Sequence, residues 1–222
     1  MDKVGGFDKR LRRVEDWDLW MRMAYAGCKM GWVEEIVCAY RMFPGQMTRN
    51  AAAQKKVTVG VMNKFFDQPG LSDDLLALKS DVLTRVYLVC AGREYGADQC
   101  DDAQESIAEA IKLTPALATS RQDELIDSLL SWTTNPFVGD PIDYTMRVFN
   151  NLPDNAAAIK QKKRWALGEI GLRTFFTAKK NEDWSTVRRA GQVVAANAPA
   201  RMWNRGVVSI LLQSMMHRQP QS

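Results

Sequence analysis

At 222 residues, with 46% apolar and 25% charged side chains, the chain has the composition of a folded globular protein with room for one large domain or two small ones. A net charge of +4 is too mild to argue for nucleic acid, and the longest apolar stretch near the end, Val207 to Leu212, is far too short to cross a bilayer. The single histidine, His217, sits in a polar tail and argues against a histidine-built metal centre or catalytic triad. Residues 1–15 lack the apolar segment of a signal peptide, and four cysteines without a C-x-x-C pair read as reduced packing thiols of a cytoplasmic protein.

The first predicted element is a helix opened by Glu15-Asp16. The pair puts two carboxylates in the first turn, where free backbone N–H groups and the positive end of the helix dipole favour the ionised form that a general base needs. Acidic helix starts are also common for purely structural reasons. Trp17, Trp20, Met21, Ala24 and Cys28 recur at three- and four-residue spacing and are expected to form a buried face. Asp18 and Arg22, four apart, are placed to pair, and Gly27 supplies a stop. Met30–Val33 and Ile36–Tyr40 then read as short extended pieces, since β-branched and aromatic residues favour strands. Arg41 has a guanidinium fork suited to a phosphate, although a surface ion pair explains it equally well.

The order Val4-Gly5-Gly6-Phe7-Asp8, a gap, Glu15-Asp16-Trp17-Asp18-Leu19-Trp20-Met21-Arg22, then Gly27 spaced ahead of Val33-Glu34-Glu35, and Ala39-Tyr40-Arg41, resembles the end of the catalytic domain of family 2 glycosyltransferases, which have the GT-A fold. The resemblance runs from about Val4 to Thr48 and covers only the first fifth of the chain. It implies that Asp16 is the catalytic base, with Glu15 beside it, and that Gly5 and Gly6 belong to the loop bordering the acceptor pocket. The family's Tyr-Arg-x-His is Tyr40-Arg41-Met42-Phe43 here, and phenylalanine cannot ligate a metal. Upstream of Gly5 there is no room for the nucleotide-binding strands or the family's metal motif. The expectation is therefore a C-terminal piece of a longer enzyme, inactive alone. The complete enzyme would move a sugar from a nucleotide-sugar donor to a hydroxyl of a glycan or lipid-linked acceptor, with inversion. Its Mg²⁺ or Mn²⁺ would be held outside this chain, which itself is expected to carry no cofactor.

From Ala51 the texture is helical to the end. The expected fold class is mainly α: an irregular antiparallel helical array over 51–222, in sub-arrays of about 51–133 and 141–222, behind a small α/β remnant of a GT-A domain in 1–50. Predicted helices run from Ala51 to Phe66, broken by Pro69-Gly70, and from the N-cap Ser72 through Glu94, with Leu75, Leu78, Val82, Val86 and Val89 on an apolar face. Asp98–Leu113 follows, with Ile107, Ala110 and Ile111 facing inward, closed by Thr114-Pro115. Then come Leu117–Thr133, Ile142–Asn150, Asn155–Lys180, Trp184–Ala196 and Pro199–Met216. Arg93-Glu94-Tyr95-Gly96, Ala103, Ala108, Ala110-Ile111 and Leu113-Thr114-Pro115 resemble half of a tetratricopeptide unit, but no fixed period follows.

Charge is uneven. Residues 94–127 are acidic, whereas 160–189 carry Lys160, Lys162, Lys163, Arg164, Arg173, Lys179, Lys180, Arg188 and Arg189 against three acids. This basic stretch is either a solvated helix face, which meets the acidic block, or a contact for a protein partner or a peripheral, anionic membrane surface. Trp132, Trp165, Trp184 and Trp203, with Met202, Met215 and Met216, fall at helical apolar positions and are expected to pack in the core. No basic–aromatic interleaving suggests nucleic acid.

Overall fold

A computed structural model describes residues 4–41, 43, 46 and 50–216. Met42, Thr48 and His217 lie outside them. Among the described residues the elements are α1 (Glu15–Tyr25), α2 (Ala51–Phe66), α3 (Asp73–Ala77), α4 (Lys79–Gly96), α5 (Cys100–Leu113), α6 (Gln122–Ser131), α7 (Pro141–Asn150), α8 (Lys163–Lys180), α9 (Trp184–Asn197) and α10 (Arg205–Met216), with no strand. The class is mainly α, an irregular helical array. Four 3₁₀ turns, Pro115–Ala118, Trp132–Thr134, Asp154–Lys162 and Pro199–Trp203, interrupt what the sequence reads as longer helices. Three of them begin at or just after a proline, which cannot donate to a helix ladder. None of the described helices is long and apolar enough to cross a membrane.

Local capping explains where several helices begin. The Asn50 side chain accepts from Ala53 N–H at α2. Asp140 accepts from Ile142 and Asp143 N–H, with Pro141 as the first residue of α7. Asp183 accepts from the Thr186 and Ser185 hydroxyls and Thr186 N–H ahead of α9, which holds its carboxyl down at about 2.

Two antiparallel pairs form the centre. In α4/α5, Ser80 Oγ donates to Leu113 O, Thr84 and Thr114 share a hydrogen bond of 2.8 Å, and Ser106 Oγ donates to Glu94. In α8/α9, Arg164 Nε donates to Asn197 O at one end and Lys179 lies over the Trp184 ring at the other. One apolar cluster runs through these pairs from Leu88 to Val207, with Tyr95, Ile107, Leu125, Tyr144, Ile170 and Phe175 fully buried. The buried Tyr144 hydroxyl keeps a partner by donating to Leu129 O. A smaller cluster of Met62, Leu83, Val86 and Cys90 joins α2 to α4, and Met21 of α1 packs on it.

Several sequence expectations are corrected. The buried side of α1 is Val14, Asp18 and Leu19, whereas Trp17 and Trp20 are 45% and 53% exposed and Cys28 is also exposed. The cause is a polar anchor that apolar spacing does not register. Lys64 of α2 binds Asp18 at 2.7 Å, and Tyr25 donates to Gly70 O and packs edge-on against Phe65, which fixes the rotation of α1. The expected strands at 30–40 are irregular and exposed, with Trp32 at 91% and Ile36 at 98%. Strand propensity is realised only where a neighbouring strand supplies the ladder, and the described residues contain none. The α/β remnant is therefore not seen. Leu78 and Val89 are half exposed, Cys38 is exposed, and Trp203, Met215 and Met216 stand out from the surface instead of packing.

Gly92 marks the tightest approach. A Cβ there would lie 2.2 Å from Trp132 Cδ1. Gly92→Ala gains about 1 kcal/mol of helix propensity and suffers overpacking of up to about 3 kcal/mol, so a net loss of about 1–2 kcal/mol is expected in the chemical denaturation midpoint. An unshifted midpoint would mean that the indole moves aside freely.

Candidate functional site

Asp8 and Asp18 fasten the N-terminal segment to α2. Lys64 Nζ lies 3.1 Å from Asp8 and 2.7 Å from Asp18, and Arg22 pairs with Asp18 at 2.7 Å while donating to the Val4 and Gly6 carbonyls. Burial opposes the Asp18 charge, but the Lys64 and Arg22 hydrogen bonds outweigh it and hold the carboxyl below its usual range. The Asp18–Arg22 pairing expected from their spacing is present. Gly5, at φ +69°, and Gly6 lie in this anchored turn.

The anchored segment, α2 and α4 enclose an open, mostly apolar cleft of about 710 Å³. Val82, Val86, Val89 and Cys90 line it from α4, with Met62 from α2 and Phe7 from the N-terminal segment. Val86 is buried against Met62 of α2 and Val82 packs on the same small cluster, as expected of this face, whereas Val89, one turn on, is half exposed at the cleft. Glu15 and Asp16 border it from the first turn of α1. Asp16 is partly exposed, and its Oδ1 accepts from Trp17 N–H at 2.9 Å. Gly5, Gly6 and Arg41 are not among the lining residues; Arg41 is exposed, and its neighbour Tyr40 lines a smaller pocket of about 220 Å³ with Arg93.

Four arginines, Arg12, Arg13, Arg85 and Arg93, also border the cleft, against the two carboxylates. None was singled out from the sequence as a cleft residue. The signal was available: Arg85 and Arg93 share the α4 stripe with Val82, Val86 and Val89, a mixed cationic–apolar face that a core helix would avoid. Gln54 stands at the wall, and its Oε1 is buried without a hydrogen-bond partner among the described residues. Cys90 is no nucleophile. Burial pushes its thiol up to about 11, so it stays protonated at neutral pH.

The basic stretch is largely engaged inside the array. Arg189 pairs with Asp140 and Asp143, Lys163 donates to Asn150, Arg188 donates to Ser214 O, and Lys162 lies 3.9 Å from Asp123. Among the described residues there is no group of three or more His, Cys, Asp or Glu side chains that would hold a metal ion. The chain matches no family model, no curated protein and no solved structure.

Proposed function

We propose that this chain supplies the acceptor-side end of a family 2, GT-A type glycosyltransferase, and that Asp16 is its general base. The observation that carries the reading is that Glu15 and Asp16, the pair singled out by resemblance, border a cleft of about 710 Å³. On this reading an acceptor hydroxyl enters the cleft and attacks the anomeric carbon of a nucleotide sugar. The new C–O bond forms as the bond to the diphosphate breaks, with inversion, and the hydroxyl proton passes to the Asp16 carboxylate. Gly5 and Gly6 keep the N-terminal turn beside this site, and Arg41 would meet a donor phosphate from outside the cleft. The donor half, and the ligands of the Mg²⁺ or Mn²⁺ expected with it, would come from outside this chain. The cytoplasmic location belongs to the same proposal.

A second reading is a non-catalytic interaction scaffold. It is favoured by the exposed apolar run around Trp32, Ile36 and Val37, which invites a protein partner. Transfer measured in the complete enzyme with Asp16→Asn separates the two: undiminished transfer overturns the catalytic assignment and leaves the scaffold.

A further inference from the structure

The last helix has two apolar sides. On one, Val207 and Ser214 are buried, and Ile210 and Leu211 pack on the main cluster. Arg188 of α9 donates to Ser214 O, and a Cβ on Gly191 would lie 2.8 Å from Leu211 Cδ2, so this side is held hard against α9. On the other, Val208, Leu212 and Met215 stand exposed, Leu212 at 58% and Met215 at 63%. Together with Arg205 they are spaced three, four and three residues apart, the a/d seam of a helix that packs on a second helix. Trp203, the most exposed indole near it, walls a shallow groove of about 440 Å³ along this seam with Val208 and Leu212. A helix that is apolar on both sides is built for a neighbour on both sides, and among the described residues none covers the outer one.

We propose that the occupant of this seam is a second copy of the chain, paired α10 to α10, antiparallel, about a two-fold axis level with Ile210. The charge pattern selects it. Between Gly206 and Met216 there is no Asp, Glu, Lys or Arg. An anionic bilayer is met by a helix whose polar face is rich in Lys and Arg, and an acidic protein by cations within the seam; α10 offers neither. A neutral seam meets its own copy without like-charge repulsion, and the contact is isologous. Antiparallel alignment makes the ends complementary as well. Val208 of each copy faces Leu212 of the other, and Arg205 falls opposite Met215, in the last turn, where carbonyls lack intrahelical partners and the helix dipole is negative. One short helix and one indole make an interface below the roughly 800 Å² per partner of a standard one, so the dimer is weak and concentration-dependent. The seam shares no residue with the α1/α2/α4 cleft, so the pairing stands or falls apart from the transferase reading.

The test is sedimentation equilibrium of the whole chain. The mass is expected to climb from 25.1 kDa toward twice that value as concentration passes through roughly 10–100 μM, the range of a small interface. Leu212→Glu alone and Val208→Lys alone are each expected to weaken the dimer at least about tenfold, because each seats two unpaired charges in the seam. An equimolar mixture of the two variants is expected to restore it: one layer then pairs Glu with Lys, and the other keeps Val208 against Leu212. That rescue requires the antiparallel register, since a parallel pairing leaves both charges without a partner. A wild-type chain that stays at 25.1 kDa up to about 500 μM overturns the proposal. So do a dimer that Leu212→Glu leaves intact, a mixture that stays monomeric, and a monomer that instead floats with phosphatidylglycerol vesicles through α10. Circular dichroism checks that the variants fold; should either fail, Leu212→Lys mixed with Val208→Glu puts the same question with the charges reversed.

Discussion

On the transferase reading proposed above, Asp16→Asn is expected to slow sugar transfer by about 10²–10⁴-fold, the contribution of a positioned general base. The amide keeps the shape of the carboxylate, and its oxygen can still accept from Trp17 N–H, so the first turn of α1 has no reason to move. What is lost is the proton acceptor. The loss is expected in kcat, with KM nearly unchanged, because proton transfer is a demand of the transition state and not of ground-state binding. Glu15→Gln serves as the neighbouring control and is expected to cost much less. Asp18→Asn is the opposite control. Asp18 is 4% exposed and holds Lys64 and Arg22, so its replacement should lower stability and loosen the whole N-terminal segment. The pH sign follows from its depressed carboxyl: the stabilisation is present above the ordinary value of 3.8 and is lost as pH falls below it. Urea midpoints of wild type and Asp18→Asn should therefore lie apart at neutral pH and converge as pH drops below 3.8. Asp16→Asn that leaves kcat untouched would remove the base from the account.

The helical array was legible because its punctuation is local. Pro69-Gly70 ends α2 where expected, the Asp140-Pro141 pair opens α7 one residue from the predicted start, and Ile107, Ala110 and Ile111 of α5 face inward at helical spacing. The acidic first turn of α1 was legible from Glu15-Asp16 itself, but the cleft beside it was not. The orientation of α1 was not, because it depends on Lys64, more than forty positions downstream, reaching a buried carboxylate. The cleft wall was legible only in part, for a related reason. Periodicity shows that Val82, Val86 and Val89 share a face, but not that α2 covers it only as far as Val86 and leaves Val89 half exposed. The strands failed because strand propensity needs a partner that 28–41 does not meet among the described residues. Lys55 was equally invisible: it counts as one more cation of a basic helix until folding brings α5 beside it.

That lysine carries the largest expected loss of stability. Lys55 of α2 reaches between α4 and α5, 3.3 Å from Glu94 and 2.8 Å from Glu105, and donates to Ser106 Oγ. Glu94 is fully buried. Ser106 satisfies one of its oxygens at 2.6 Å, and the other has no hydrogen bond, so the Lys55 charge is its main electrostatic relief. Lys55→Met strands a carboxylate in the interior, and breaking a buried pair in this way costs about 3–5 kcal/mol. Burial already raises the Glu94 carboxyl above its usual 4.5, against the lowering by Ser106 and Lys55. A raised folded value means that Glu94 binds its proton more readily when folded. Its contribution is most favourable below 4.5 and is lost as pH climbs through the folded value. Removing Lys55 lifts that value further, so the loss continues to higher pH. Urea midpoints of wild type and Lys55→Met should therefore lie well apart at neutral pH and approach one another on acidification toward 4.5. Lys55→Met with Glu94→Gln, which replaces the stranded charge by an amide, should recover much of the deficit. A deficit that is the same at every pH, or that Glu94→Gln does not relieve, would show that Lys55 acts through packing of its stem and not through the carboxylate.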